Sequence, residues 1–189
     1  MKALLLDGSR ENEPDLNDIK NSFEKELKAK GWDVEAIELK NLDISPCIGD
    51  FKCWIKTPGI CITDDIARDV TRKLVQSDLL VFLTPVTFGG YSSLLKNALD
   101  RSLGIMLPYF TKIEGKTHHK KRYKNYPRLI ALGTLPASNP KEEKIFKTLV
   151  SRNAINAHSP SYAAEVVVSG EDKIQSTIKN LLSKVGALA

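Results

Sequence analysis

Short apolar runs alternate with longer amphipathic stretches along the chain, the pattern left by strands and helices laid in turn around a parallel sheet. The sequence predicts strands over 3–7, 34–39, 79–83, 128–132 and 164–168. Leu79-Leu80-Val81-Phe82-Leu83 is uninterrupted, as a strand buried on both faces should be, whereas Val34 and Ala36 alternate with Glu35 and Glu38 as on an edge strand. Leu16, Ile19, Phe23 and Leu27 repeat at helical spacing until Gly31 stops the first helix. Further helices are expected over 64–76, capped by Thr63 or Asp64, and over 92–103, 141–153 and 172–185.

Five strands and five helices in alternation imply an α/β fold, a flavodoxin-like doubly wound sandwich with a five-stranded parallel sheet and helices on both faces. Ligands of such sheets sit beyond the carboxyl ends of the strands, near the switch in strand order, so the loops after the first, third and fourth strands are the candidate site. With 189 residues, the chain is expected to form a single domain, 1–189, carrying long insertions at about 41–63 and 104–127. Loops of that length are commonly functional. A composition of 42% hydrophobic and 27% charged residues excludes fibrous and disordered classes. Apolar runs like 79–83 fall far short of the roughly 18 to 20 residues of a membrane span. The apolar start of the chain meets Asp7 too early for a secretory signal. Three cysteines, an odd number in no disulfide-like framework, fit a reducing compartment, so the chain is expected to be soluble and cytoplasmic with no membrane partner.

The first candidate loop, Asp7-Gly8-Ser9-Arg10, opens onto a helix. Backbone N–H groups, the Ser9 hydroxyl, Arg10 and the positive helix end would suit a phosphate there; a plain turn explains it equally well. The loop after the third strand reads Thr84-Pro85-Val86-Thr87-Phe88-Gly89-Gly90-Tyr91-Ser92. Pro85 fixes the chain as it leaves the strand, and Gly89-Gly90 let backbone approach a flat ligand that needs main-chain hydrogen bonds at its polar edge.

Three motifs occur in order: Pro46-Cys47-Ile48-Gly49-Asp50-Phe51-Lys52-Cys53-Trp54 with Lys56-Thr57-Pro58-Gly59-Ile60-Cys61, then the Thr84–Ser92 loop, then Leu95-Lys96-Asn97-Ala98-Leu99-Asp100-Arg101. Together they resemble the NAD(P)H-dependent FMN reductase and multimeric flavodoxin-like family, relatives of the iron–sulfur flavoproteins. The likeness is dense from Asp7 to Arg101. It implies that Gly8, Ser9 and Arg10 form the FMN phosphate loop, that Pro85, Val86, Thr87, Phe88, Gly89 and Gly90 lie along the isoalloxazine, and that Gly133, Thr134 and Leu135 form the third ligand loop. It implies an oxidoreductase that moves hydride from NAD(P)H, its substrate, through bound FMN to a quinone, flavin or similar acceptor. The flavin carries that chemistry, so no catalytic side chain is nominated. Two other readings stay open: an FMN electron carrier without nicotinamide activity, and a flavin-less binding module of the same fold.

The first loop continues as Glu11, Asn12, Glu13, Pro14 and Asp15, where relatives carry small hydroxyl and amide residues; these acids are expected to point outward and cap the helix. Many relatives have an aromatic residue at the position of Thr87. Cys47, Cys53 and Cys61 with Asp50 between them are one thiolate short of the usual iron–sulfur ligand set, and no histidine lies nearby in sequence for zinc. No metal ligand is therefore nominated, and Cys47, Cys53, Trp54 and Cys61 are expected to form a packed lid beside the flavin.

Charge is concentrated rather than spread. Of a net +5, the stretch 112–128 contributes seven basic residues and one acid, Lys112, Lys116, Lys120, Lys121, Arg122, Lys124 and Arg128 against Glu114. That segment is solvated, contacts cofactor phosphates, or sits in a subunit interface; no nucleic-acid module accompanies it, so no nucleic-acid partner is expected. Met106, Pro108, Tyr109 and Phe110 form an apolar patch suited to covering a neighbour's flavin, so a homodimer or tetramer is expected. His118, His119 and His158 are not taken as a metal set.

Overall fold

The computed structural model describes residues 1–10, 14–113, 115–170 and 173–188. Glu11, Asn12 and Glu13 lie outside the described residues, as does the Asp15 side chain, and with them the expected acidic cap. Five strands, β1 (Lys2–Asp7), β2 (Asp33–Glu38), β3 (Leu79–Pro85), β6 (Arg128–Leu135) and β7 (Tyr162–Val168), form one sheet in the order β2-β1-β3-β6-β7. Every pairing in it is parallel, with Leu5 opposite Ala36 and Val81, and Val81 opposite Ile130.

Alternate residues of the central strands supply two separate cores. Leu5, Val81, Leu83, Ile130 and Leu132 pack with Leu16, Ile19, Phe23 and Leu27 of α1 (Pro14–Ala29) and with Ile178, Leu181 and Leu182 of α6 (Ile174–Lys184). Leu4, Leu6, Leu80, Phe82 and Ala131 face the other way, onto α3 (Ala67–Gln76), α4 (Ser93–Arg101) and α5 (Pro140–Asn156). A strand covered on both faces has no polar side, which is why the sequence of β3 is continuous in Leu, Val and Phe while that of edge strand β2 alternates.

Two expectations need correction. Residues 104–127 are not an irregular excursion: β4 (Met106–Ile113) and β5 (Lys116–Lys121) form an antiparallel hairpin, with Ile113 opposite Lys116 and Gly115 at φ 75 in the two-residue turn. Thr111, Ile113 and Thr117, with Tyr109 and Phe110, are strand formers, and Gly supplies the positive φ that a tight hairpin turn requires. The helix expected from Asp64 starts only at Ala67, with Ile66 at the cap position and no side-chain cap. Asp65 does accept from the Ala67 N–H at 3.0 Å, but its carboxylate is chiefly engaged by a distant arginine, as described below. A one-turn helix, α2 (Lys52–Ile55), interrupts the cysteine segment.

Candidate functional site

The loops leaving β1, β3 and β6 meet at the carboxyl end of the sheet and are tied to one another. The Gly8 N–H donates to Leu83 O at 2.8 Å, the Ser92 N–H to Thr84 Oγ1 at 2.9 Å, and the Val86 N–H to Thr134 O at 2.9 Å. The Arg10 guanidinium reaches Ser93 Oγ at 3.4 Å. Ser92 also caps α4, its Oγ accepting from the Leu95 N–H at 3.3 Å. Glycine permits the closest of these approaches: a Cβ on Gly8 would lie 2.7 Å from Ser92 Oγ, and one on Gly133 2.5 Å from Val86 Cγ2.

The first loop differs from a simple amide cradle. Asp7, buried at the end of β1, accepts the Ser9 N–H through Oδ1 at 2.8 Å, so the Gly8 and Ser9 amides are both spent inside the protein. The other Asp7 oxygen stands 3.9 Å from Lys20 Nζ, which also pairs with Glu38. What this loop can offer an anion is the Arg10 charge and the helix start beyond it.

The β3 loop is a closed turn. Thr87 and Gly90 exchange hydrogen bonds of 3.0 and 2.8 Å, with Phe88 at φ 51 and Gly89 at φ 76 between them. The Gly89 N–H donates to Glu142 Oε2 at 3.2 Å, pinning the turn to the first turn of α5. Glu142 is itself held by Asn139, whose amide donates to Oε1 at 3.0 Å and whose Oδ1 accepts the Glu142 N–H at 3.3 Å. That contribution was missed from sequence, although Asn-x-x-Glu ahead of an apolar-periodic stretch signals a helix start. Tyr91 is packed edge-on against Phe82 and Phe146, and burial pushes its phenol up to about 12 despite the hydrogen bond from Asn153.

Phe88 is 92% exposed in a left-handed backbone conformation that bulky residues avoid. The fold draws nothing from its ring. Phe88→Asn is therefore expected to raise the unfolding free energy by about 1 kcal/mol, because asparagine tolerates this conformation. Urea denaturation of the two proteins checks it; a less stable variant would mean that the ring packs on the protein after all.

The two long segments lie elsewhere. The cysteines line a cavity completed by Asp100, Arg101 and Leu103, at the far end of α4 from the loops. Nine helical residues put that end about 13 Å from Ser92. Trp54 donates from Nε1 to Met106 O at 3.0 Å and lies between Phe51 and His119, at ring separations of 5.4 and 5.0 Å, so it seats the hairpin. His158, just beyond α5, is hydrogen-bonded through Nε2 to His119 O at 2.7 Å. Burial pulls its pKa down. His119, within β5, therefore sits about 21 Å along α5 from Glu142. Lys112, Lys116, Lys120, Lys121 and Lys124 are exposed, whereas Arg122 donates to Gly104 O and Arg128 to Gly186 O while lying 5.1 Å over Trp32. Among the described residues no group of three or more His, Cys, Asp or Glu is arranged to hold a metal ion.

This geometry can be set against known proteins. Residues 1–119 match the family model described as NADPH-dependent FMN reductase. An iron-sulfur flavoprotein of Methanocaldococcus jannaschii is 30% identical over 102 residues, 54% of this chain and 52% of the relative. One from Archaeoglobus fulgidus is 32% identical over 102 residues, 54% of this chain and 49% of its own. The chain thus spans about half the length of these curated relatives. Among solved structures, the NAD(P)H:quinone oxidoreductase of Methanothermobacter marburgensis superposes with a TM-score of 0.69 at 15% identity, over 99% of this chain and 94% of that one. An FMN-dependent NADH-azoreductase of Bacillus anthracis in complex with FMN gives 0.64 at 14% identity, over 100% and 99%. At those identities the superpositions establish the shared flavodoxin-like fold. The match over 1–119 covers well over half of the sequence and includes the loops after both β1 and β3, and by it the chain belongs to the NADPH-dependent FMN reductase family.

Proposed function

We propose that this protein is an FMN-dependent oxidoreductase that takes hydride from NAD(P)H and delivers electrons to a small acceptor such as a quinone or flavin. The observation that carries the reading is the closure of three loops around Gly8, Thr84 and Thr134 at one end of a parallel sheet. Structural neighbours named as a quinone oxidoreductase and an FMN-dependent azoreductase support it.

The residues present fit FMN. Arg10 supplies the phosphate charge beside Ser9, and Thr134 and Leu135 close the third side. Of the β3 turn amides, those of Val86, Thr87, Gly89 and Gly90 are engaged within the protein, and among the described residues the Phe88 N–H meets no acceptor. That N–H is the donor this turn offers to the polar edge of a flat ring, with Pro85 and Thr87 beside it. FMN, when bound, supplies the hydride-accepting and electron-passing chemistry. The protein's part is to orient the ring against a turn that two hydrogen bonds and Glu142 hold rigid.

An iron–sulfur cluster, as the names of the curated relatives suggest, does not fit this chain. Cys47, Cys53 and Cys61 give three sulfurs where four thiolates are the rule. In the fourth position, Asp50 accepts the Lys52 N–H at 3.0 Å and pairs with Lys52 Nζ at 3.3 Å. The backbone hydrogen bond holds its carboxyl below the ordinary value, as an ion already partnered by the protein.

We further place the enzyme in the cytoplasm, in keeping with three unbridged cysteines, as one domain with two insertions and as a homo-oligomer. Exposed Tyr109 and Phe110 on a two-stranded hairpin, a unit of marginal stability alone, support the last point. Among the described residues no helix is long and apolar enough to cross a membrane.

Purified protein mixed with FMN is expected to take on a yellow flavin spectrum that NAD(P)H bleaches. A protein that stays colourless at micromolar excess of FMN would overturn the proposal.

A further inference from the structure

The cysteine cavity is a second chemical centre, separate from the flavin loops. It opens to solvent past the exposed Ile48 and Phe51, has a volume of about 20 Å³, room for about one water, and all three cysteines line it together with Asp50 and Arg101. Arg101 is fully buried at its side chain. Four of its donor contacts are accounted for: Nη1 to Ser45 O at 2.6 Å and Asp65 Oδ2 at 2.7 Å, and Nη2 to Thr63 O at 3.2 Å and Asp65 Oδ1 at 2.8 Å. The Nε–H is buried and has no hydrogen-bond partner. The Nη2 bond to Thr63 O places the guanidinium against the chain two residues beyond Cys61, in the wall of the same cavity. A buried cation with a spare donor in that wall can hold the oxygen of a small oxidant against the sulfur, the electropositive setting in which cysteines react with electrophiles and oxidants.

Cys53 lines the same cavity in a different setting. Burial, with Cys61, Cys47 and Asp50 nearby, pushes its thiol up. The chain folds back between the two residues, the Gly59 N–H donating to Cys53 O at 2.8 Å and the Ile60 N–H to Thr57 O at 2.8 Å, so Cys61 returns to the wall that Cys53 occupies. Cys47 lines the cavity at its exposed rim.

We propose that Cys61 is a peroxide-reactive thiol and that its oxidation ends in a Cys53–Cys61 disulfide. The Cys61 thiolate attacks one peroxide oxygen: an S–O bond forms, the O–O bond breaks, and the departing alkoxide takes up a proton. Cys61 is thereby oxidised by two electrons to the sulfenic acid and the peroxide is reduced to an alcohol, or to water from hydrogen peroxide. The Cys53 sulfur then displaces hydroxide from Cys61, forming the S–S bond, and the Cys53 proton leaves with that hydroxide as water.

Treating the full chain with hydrogen peroxide, blocking free thiols and mapping peptides by mass spectrometry tests this directly. The expected product is the Cys53–Cys61 linked peptide, with Cys47 alkylated. Cys61→Ser should abolish the link and all sulfenic-acid labelling by dimedone at this site. Cys53→Ser should leave Cys61 as a dimedone-labelled sulfenic acid, which shows reactivity without relying on disulfide closure. Cys47→Ser should change neither. A link through Cys47, labelling that falls first on Cys47, or no link in folded wild-type protein would each overturn the proposal. These readouts require no flavin, so they stand or fall independently of the oxidoreductase reading.

Discussion

Arg101→Leu is expected to destabilise the protein by about 3–5 kcal/mol, the usual cost of removing one partner of a buried ion pair. That is a large part of the about 5–15 kcal/mol that holds a typical domain together. The Arg101 side chain has no exposed surface and Asp65 is only 15% exposed, so solvent screens little of the loss. The variant would strand the Asp65 carboxylate and withdraw donors from Ser45 O and Thr63 O, unfastening the cysteine segment from the end of α4. Asp65→Asn should also destabilise, and the double variant should cost less than the two single changes added together, since each alone removes the same bidentate pair. Urea denaturation of all four proteins reads this out; strict additivity would refute the pair. The pH dependence has a fixed sign. Burial alone would raise the Asp65 pKa, but hydrogen bonds from Arg101 and from the Ser45 and Ala67 N–H groups outweigh it and hold the pKa below the ordinary 3.8. A group bound more tightly as the ion stabilises the fold above that value and ceases to do so as pH falls through the lowered one. The stability gap between wild type and Asp65→Asn should therefore be full above pH 3.8 and close in more acid solution.

That pair also shows where reading the sequence stops. The parallel sheet was legible because burial on both faces leaves a local mark: β1, β3 and β6 are nearly continuous in Leu, Ile, Val and Phe, and two-sided covering by helices follows from it. The start of α3 was not, because Asp65, which by local rules should help open the helix, is engaged by a guanidinium 36 residues further on. The hairpin was hidden for another reason. Its lysines and histidines mark exposure, and exposure says nothing about whether backbone amides are paired; Gly115 and the β-branched residues around it were the informative ones.

The candidate site divides the same way. Topology alone places the loops after β1, β3 and β6 together, so the three clusters at Gly8, Gly89 and Gly133 could be named from sequence. The direction of each amide could not: Asp7 draws in the Ser9 N–H and Glu142 the Gly89 N–H, contacts made by side chains whose orientation is set only by the finished fold. The cysteine segment moved farthest from expectation. It follows β2 in the chain, but Ser45 O, Thr63 O and Asp65 are all fastened to the last residue of α4, which carries the cysteines to the far end of that helix.

Gly8→Ala is expected to cost about 1–3 kcal/mol, as overpacking of a filled interior does. The added Cβ would fall 2.7 Å from Ser92 Oγ, 2.9 Å from Leu95 Cβ and 3.3 Å from Leu83 O. None of these can move freely: Ser92 caps α4, Leu95 is fully buried, and Leu83 O belongs to the central strand. Relief has to come from displacing the start of α4, and with it the anchor of the β3 turn. Misplacement by about 1 Å at a positioned site can cost on the order of 100-fold, so FMN binding should fall with stability in this variant. Gly90→Ala separates the two effects. There a Cβ meets only Thr87 O, at 3.4 Å, an ordinary contact, and stability should stay within about 0.5 kcal/mol of wild type. If the turn lies along a flat ring, the methyl group intrudes on it, and FMN affinity should drop at least about tenfold, or about 1.4 kcal/mol, in a protein that melts normally. Flavin titration beside thermal melting distinguishes the cases: full FMN affinity in Gly90→Ala would remove this turn from the flavin site, and unchanged stability in Gly8→Ala would mean that α4 is not held by the β1 loop.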